Sequence, residues 1–162
     1  MTKKYFWGRF LEIVVQVTMM KFNREKVPGA FFGKSGEVEV PLFQFVDTRY
    51  VKGSSTRQYQ IDVYGRDLGN LVWICECKYT KKKMGIRQVE KLEQAAKALR
   101  QEAEDARLPI PDIRMWLVST GGFTGEVLDY VRGKADIFVS DDEGINGIFQ
   151  MYGGNYRIPV FI

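Results

Sequence analysis

The chain has 162 residues, 45% hydrophobic and 27% charged, which argues against disorder and suits one domain with a real core and little room for a second. Lys and Arg number 24 against 20 Asp and Glu, a formal charge of +4, and histidine is absent. That absence removes serine–histidine and cysteine–histidine catalysis, histidine-ligated zinc and any imidazole proton transfer, so chemistry falls to carboxylates, lysines, amides or a cation held by oxygen. From the N-terminus, Phe6, Phe10, Ile13, Val14, Val17 and Met20 recur at three- and four-residue steps and predict an amphipathic helix over 6–23. Arg9, Glu12, Gln16 and Lys21 interrupt it, so it is too polar for a membrane span, and a soluble cytoplasmic protein with no membrane partner is expected. Pro28, Gly29, Gly33 and Gly36 mark a loop, 37–50 reads as a strand, and 52–57 is a Gly/Ser turn. Residues 59–64 and 71–79 read as two more strands, joined through 65–70 as an antiparallel hairpin and completing a meander. Val89, Leu92, Ala95, Ala96, Leu99 and Ala103 then set a long helix over 86–106, stopped before Pro109 and Pro111. A strand at 114–119, a helix at 124–132, a strand at 136–140, a helix at 143–151 capped by Asp141 or Asp142, and a closing strand at 156–162 complete the order. The expected fold is α/β: a central mixed sheet flanked by helices, in one domain over 1–162.

Charge is uneven along this order. Residues 78–100 carry eight positive and two negative side chains, whereas 101–143 carry four positive and ten negative. The basic stretch begins at the end of an apolar strand, Leu71-Val-Trp-Ile-Cys-Glu-Cys-Lys-Tyr79. Alternation puts Glu76 and Lys78 on the face of Val72 and Ile74, and Trp73, Cys75 and Cys77 on the other. The two cysteines are badly placed to bridge and have no other soft ligand, so they read as small buried hydrophobes in a reducing compartment. Charges at the end of a buried strand are costly unless paired or bound to a cation. The preceding strand offers Asp62, between Ile61 and Val63. An acid-x-Lys triplet is short enough to arise by chance, and a plain ion pair at the sheet edge would also explain it. The apolar strand, the acid on its hairpin partner and the basic helix that follows give it weight.

This arrangement resembles the PD-(D/E)xK nuclease superfamily, with its restriction-endonuclease-like fold of αβββαβ order, here with an added αβαβ extension. Asp62 matches the acid of the first hairpin strand and Glu76-Cys77-Lys78 matches the Glu-x-Lys of the second, with Ile61 where the name-giving proline would stand. Ile86-Arg-Gln-Val-Glu-Lys-Leu92 and Trp116-Leu-Val-Ser-Thr-Gly-Gly-Phe-Thr124 resemble the Mrr-like restriction endonucleases, in which a glutamine such as Gln88 joins the site. Glu12 resembles the helical glutamate frequent in the family. The resemblance implies that Asp62, Glu76 and the Cys77 carbonyl hold Mg²⁺ or Mn²⁺, and that Lys78 acts on the attacking water and the scissile phosphate. It also implies that Glu12 and Gln88 assist, and that the substrate is DNA.

Around that centre, Lys81, Lys82, Lys83 and Arg87 are candidate phosphate contacts, although a lysine run is commonly a solvated turn. Gly121 and Gly122 offer backbone amides at the start of a helix, or form only a turn. Phe31, Phe32, Tyr79 and Trp116 have rings that can stack on bases, but aromatic residues are mostly core. Cutting both strands of a duplex takes two sites, so a homodimer is expected. Two other readings stand beside the nuclease: a non-catalytic nucleic-acid-binding module with the same fold, and a protein-interaction domain whose edge charges are structural.

Overall fold

The first helix, α1, runs Lys3–Lys21 and is opened by Thr2, whose hydroxyl accepts the Tyr5 N–H at 3.2 Å. It buries Leu11, Val14, Val15, Thr18 and Met19. The stripe that predicted it is therefore largely turned outward, with Phe6, Ile13, Val17 and Met20 exposed. Apolar residues occupy both sides of this helix, so periodicity announced a helix without choosing the buried face. The computed structural model describes residues 2–53, 57–154 and 157–159.

The strand expected over 37–50 is two strands. β1 (Lys26–Pro28) pairs antiparallel with β2 (Glu37–Glu39) around a 3₁₀ turn at Gly29–Phe32, and β3 (Phe45–Lys52) begins a separate sheet. Between them Pro41 lacks the N–H that a continuing ladder needs, while Val40 and Phe43 are drawn into the core. β4 (Gln58–Arg66) and β5 (Leu71–Lys78) follow as the expected antiparallel hairpin, then α2 (Ile86–Asp105), β6 (Asp112–Ser119), α3 (Gly125–Arg132), β7 (Ile137–Ser140) and α4 (Asp142–Met151). The sheet order is β3-β4-β5-β6-β7, antiparallel through β5 and parallel from β5 to β7. This is the mixed α/β sheet flanked by helices that the element order predicted. Thr124 caps α3 by accepting the Val127 N–H, and Asp141 rather than Asp142 caps α4 by accepting the Gly144 N–H at 2.9 Å.

The expected turn at 52–57 falls mainly on 54–56, outside the described residues, as does much of the strand expected over 156–162. Residues 157–159 form no strand. Instead buried Asn146 of α4 accepts the Ile158 N–H at 2.8 Å and donates to the Ile158 carbonyl. One side chain thus satisfies the peptide groups that a strand would have paired.

The sheet separates two cores. On one face Leu11, Val15 and Met19 of α1 meet Trp73, Cys75, Cys77, Trp116, Val118 and residues of α4; on the other, α2 and α3 cover Val72, Ile74, Met115 and Leu117. The alternation read along 71–79 is therefore the one observed. Trp73 and Trp116 pack edge to face at 5.9 Å, and the Trp116 indole N–H donates to Ser140, whose hydroxyl donates to the Phe31 carbonyl. Among the described residues no helix is long and apolar enough to cross a membrane.

Candidate active site

The site is built at the carboxyl end of β5, where the β4–β5 ladder stops. Paired residues run from Arg66↔Val72 to Val63↔Cys75 and no further. In β4 the pairing with β3 slips at the same place: Asp47 faces Tyr64, but Arg49 faces Ile61, so Thr48 stands opposite both Asp62 and Val63. This bulge changes the parity of the strand, leaving Ile61 and Tyr64 in one core and Val63 in the other. Two side-chain hydrogen bonds repair the backbone. The Thr48 hydroxyl donates to the Asp62 carbonyl at 3.1 Å, and Asp62 Oδ2 accepts the Cys77 N–H at 2.9 Å in place of a ladder carbonyl. Asp62 is thereby fixed beside the Glu76-Cys77-Lys78 run.

Glu76 is 5% exposed. Lys78, one alternation further out, emerges into solvent and places Nζ 3.4 Å from Glu76 Oε1. Burial raises the Asp62 carboxyl above its ordinary range, against the pull of the Cys77 N–H and of Lys78 and Lys91. Burial also raises Glu76, followed by the charge of Asp62, with Lys78 and Lys91 opposing. The two carboxyls share one half-dry site, in which the Asp62 charge raises Glu76 while a hydrogen bond from Glu76 favours the ionised Asp62.

Glu12 reaches this field from α1: burial and then the Asp62 charge raise its carboxyl, while Arg9, at 2.8 Å, opposes them. Gln88 lies half-buried in the first turn of α2. Lys91, which sequence reasoning missed, lies one turn beyond it and is felt by both Asp62 and Glu76. Its helical phase is nearly that of Glu102, three turns on, which binds Arg49 of β3. This flank of α2 therefore looks across β4. The signal available in the sequence was the i,i+3 spacing of Gln88 and Lys91 beside the buried stripe Val89, Leu92, Ala96.

The basic loop and the glycine turn come together. The Thr80 N–H donates to Thr120 Oγ1, which donates back to the Thr80 carbonyl, and the Met84 N–H donates to the Gly122 carbonyl. A Cβ on Gly121 would stand 2.2 Å from the Lys82 carbonyl oxygen, and Gly122 has φ of +79°. Close packing and turn geometry thus explain both glycines, and the loop they hold presents exposed Lys81, Lys82 and Lys83 next to exposed Arg87. Three of the rings considered for base stacking are core: Phe32, Tyr79 and Trp116 are all buried. The Phe31 ring is half-buried and lies against Gly147.

For a cation the chemistry is mixed but coherent. Among the described residues no group of three or more His, Cys, Asp or Glu side chains is placed to hold a metal ion. Asp62 and Glu76 nevertheless supply two oxygen donors, and a cation would offset the cost of ionising both in a half-dry site. A hard ion that keeps several waters needs only one or two carboxylates. The Cys77 thiol takes no part, since it faces the α1 core and burial pushes it well above its ordinary range. Beside Lys78 in the β5–β6 register, the fully buried Ser119 hydroxyl has no hydrogen-bond partner among the described residues.

Neither a protein-family model nor a curated protein matches this chain. Two similar solved structures are both nucleases. The small subunit of the heterodimeric restriction endonuclease R.BspD6I is 9% identical with a TM-score of 0.47, over 90% of this chain and 69% of that one. EndoMS, solved with double-stranded DNA, is 15% identical with a TM-score of 0.39, over 60% of this chain and 36% of that one.

Proposed function

We propose that this chain is a metal-dependent endonuclease of the Mrr-like PD-(D/E)xK type, hydrolysing phosphodiester bonds in DNA. The observation that carries the reading is the convergence of half-buried Asp62 and buried Glu76, both raised, with Lys78 emerging beside them at one end of the sheet. Two anions in a site facing a polyanion hinder plain binding. They make sense where a cation completes the site.

Asp62, Glu76 and the Cys77 carbonyl would hold Mg²⁺ or Mn²⁺, which supplies Lewis acidity and neutralises charge at the scissile phosphate. Asp62 is oriented for this by the Cys77 N–H. Lys78, fixed at its base by the strand and paired with Glu76 at a tip that stands in solvent, orients the attacking water and stabilises charge that grows on the phosphoryl oxygens. Gln88 would hold Lys78 or the water by hydrogen bonds, and Glu12, once released from Arg9, would orient water on the α1 side. Lys81, Lys82, Lys83 and Arg87 hold flanking phosphates. The active form on a duplex is a homodimer, one site for each strand.

The deciding experiment incubates the protein with labelled linear, branched and single-stranded DNA in Mg²⁺ or Mn²⁺, with Asp62→Asn beside it. Metal-dependent cutting that the variant loses supports the reading. Binding without cutting across the whole panel, equal in both proteins, replaces it with a non-catalytic nucleic-acid-binding module.

A further inference from the structure

The first two turns of α1 carry a second set of groups suited to a nucleic acid. They read Lys3-Lys4-Tyr5-Phe6-Trp7-Gly8-Arg9, and Lys3, Lys4, Tyr5 and Phe6 are exposed, Tyr5 at 58% and Phe6 at 49%. Both features oppose the stability of the free protein. A helix N-terminus carries partial positive charge and favours acidic side chains in its first turn. α1 has none there and begins with two lysines. Large rings left in water forgo the gain of burial.

This surface lies at the same end of the sheet as the carboxylates. Trp7 packs against Tyr79 with ring centroids 6.3 Å apart, and Tyr79 directly follows Lys78. Glu12, one turn past Gly8, lies within the electrostatic reach of Asp62 and Lys78. Phe6 is steadied by Trp7, edge-on at 5.2 Å, and by Phe10, parallel at 6.2 Å, while half of its surface stays in water. α1 covers one face of the sheet and α2 the other, so the acidic pair at the end of β5 lies between the two helices.

We propose that the N-terminal turns of α1 bind an unpaired nucleotide strand adjoining the scissile phosphate. Tyr5 and Phe6 stack on bases, while Lys3, Lys4 and Arg9 meet the backbone. Bases within a duplex hide their faces in the stack, so exposed rings interleaved with lysines select a strand whose bases are free. Tyr79 and Trp116 are buried and offer no stacking face, whereas Tyr5 and Phe6 are exposed next to the site. The assignment rests on the nuclease reading for what is cut, and on α1 for what is bound.

The test is metal-free binding in EDTA, read by fluorescence anisotropy on a labelled oligothymidylate and on the same strand paired with oligodeoxyadenylate. The double variant Tyr5→Ala/Phe6→Ala should lose about tenfold or more in affinity for the single strand and keep its affinity for the duplex. Phe6→Trp should retain single-strand binding, and Lys3→Ala/Lys4→Ala should weaken both substrates. Thermal melting checks that each variant is folded. Three results overturn the proposal: unchanged single-strand affinity in the folded double variant, equal losses on single strand and duplex, or a wild-type dimer that the double variant dissociates, which would make this face a self-contact. Since no metal is present, a protein that never cuts can satisfy the test, and one that cuts duplex DNA can fail it.

Discussion

Placing Asp62 and Glu76 side by side, both largely removed from water, costs free energy that the surrounding apolar strand does not return. Lys78 offsets part of it, but its tip stands in solvent, where an ion pair contributes little. The residue at which the proposed catalysis and plain binding part is therefore Lys78. If its ammonium acts on charge that develops only in the transition state, as proposed, Lys78→Met should lose about 10²-fold or more in cleavage while DNA affinity barely changes. Single-turnover cleavage beside an equilibrium binding curve measures both. A loss of cleavage merely proportional to a loss of affinity would make Lys78 an ordinary phosphate contact. Glu76→Gln, which removes a buried anion from a site facing phosphate, should bind DNA without metal as well as the wild type or better, yet not cut.

Among the elements, two connections do the positioning. The bulge in β4 ends the hairpin ladder and hands the Cys77 N–H to Asp62, so one irregularity both terminates pairing and aims a carboxylate. On the far side, the 80–84 loop is tied to the 120–123 turn by Thr80, Thr120, Met84 and Gly122. Gly121 is where these backbones come closest. Gly121→Ala must push the Lys82 carbonyl aside, and overpacking of this kind destabilises by about 1–3 kcal/mol. Thermal melting should show the drop, with weakened DNA binding as the loop shifts, and an unchanged melting point would mean that the loop yields freely. The lysines carried by that loop have their own readout. If they meet duplex phosphates, replacing Lys81, Lys82 and Lys83 by Ala flattens the dependence of log affinity on log salt by about 0.9 for each lost contact. An unchanged slope moves the phosphate-binding face elsewhere.

At the level of the whole molecule, the acidic pair links stability to pH and to metal. A carboxyl raised on folding contributes stability while protonated, and loses it as pH rises from the unfolded range through the folded value. Asp62, Glu76 and Glu12 are all raised, with burial the largest cause in each. In EDTA, the melting temperature of the wild type relative to Asp62→Asn should therefore be higher at about pH 5 than at about pH 7.5. Cation binding requires the ionised forms, so the increment from Mg²⁺ or Mn²⁺ should run the other way, larger at the higher pH and absent in Asp62→Asn. An increment that ignores pH, or that survives the substitution, would place the cation elsewhere.

Most of the architecture was legible in the chain because its signals are local. The alternation along 71–79 assigned Glu76 and Lys78 to one face and the cysteines to the other, since a strand has only two faces. The stripe Val89, Leu92, Ala96 and Leu99 fixed α2 and its buried side, and the proline signals fixed its end. The carboxylate candidates were legible as well, because an acid inside an apolar strand is costly wherever that strand lies. What depended on partners was not legible. α1 is apolar on both sides, so the outward turn of Phe6, Ile13, Val17 and Met20 was settled by the Trp73, Cys75 and Trp116 face on which Leu11, Val15 and Met19 pack. The division of the 37–50 segment was set by which strand Val40 and Phe43 had to bury against. The approach of Lys91 to Asp62, the Asp62 bond to Cys77 and the packing that demands glycine at 121 all join residues far apart in sequence. Periodicity reports which face of an element is apolar, whereas only the packed sheet decides what each face meets.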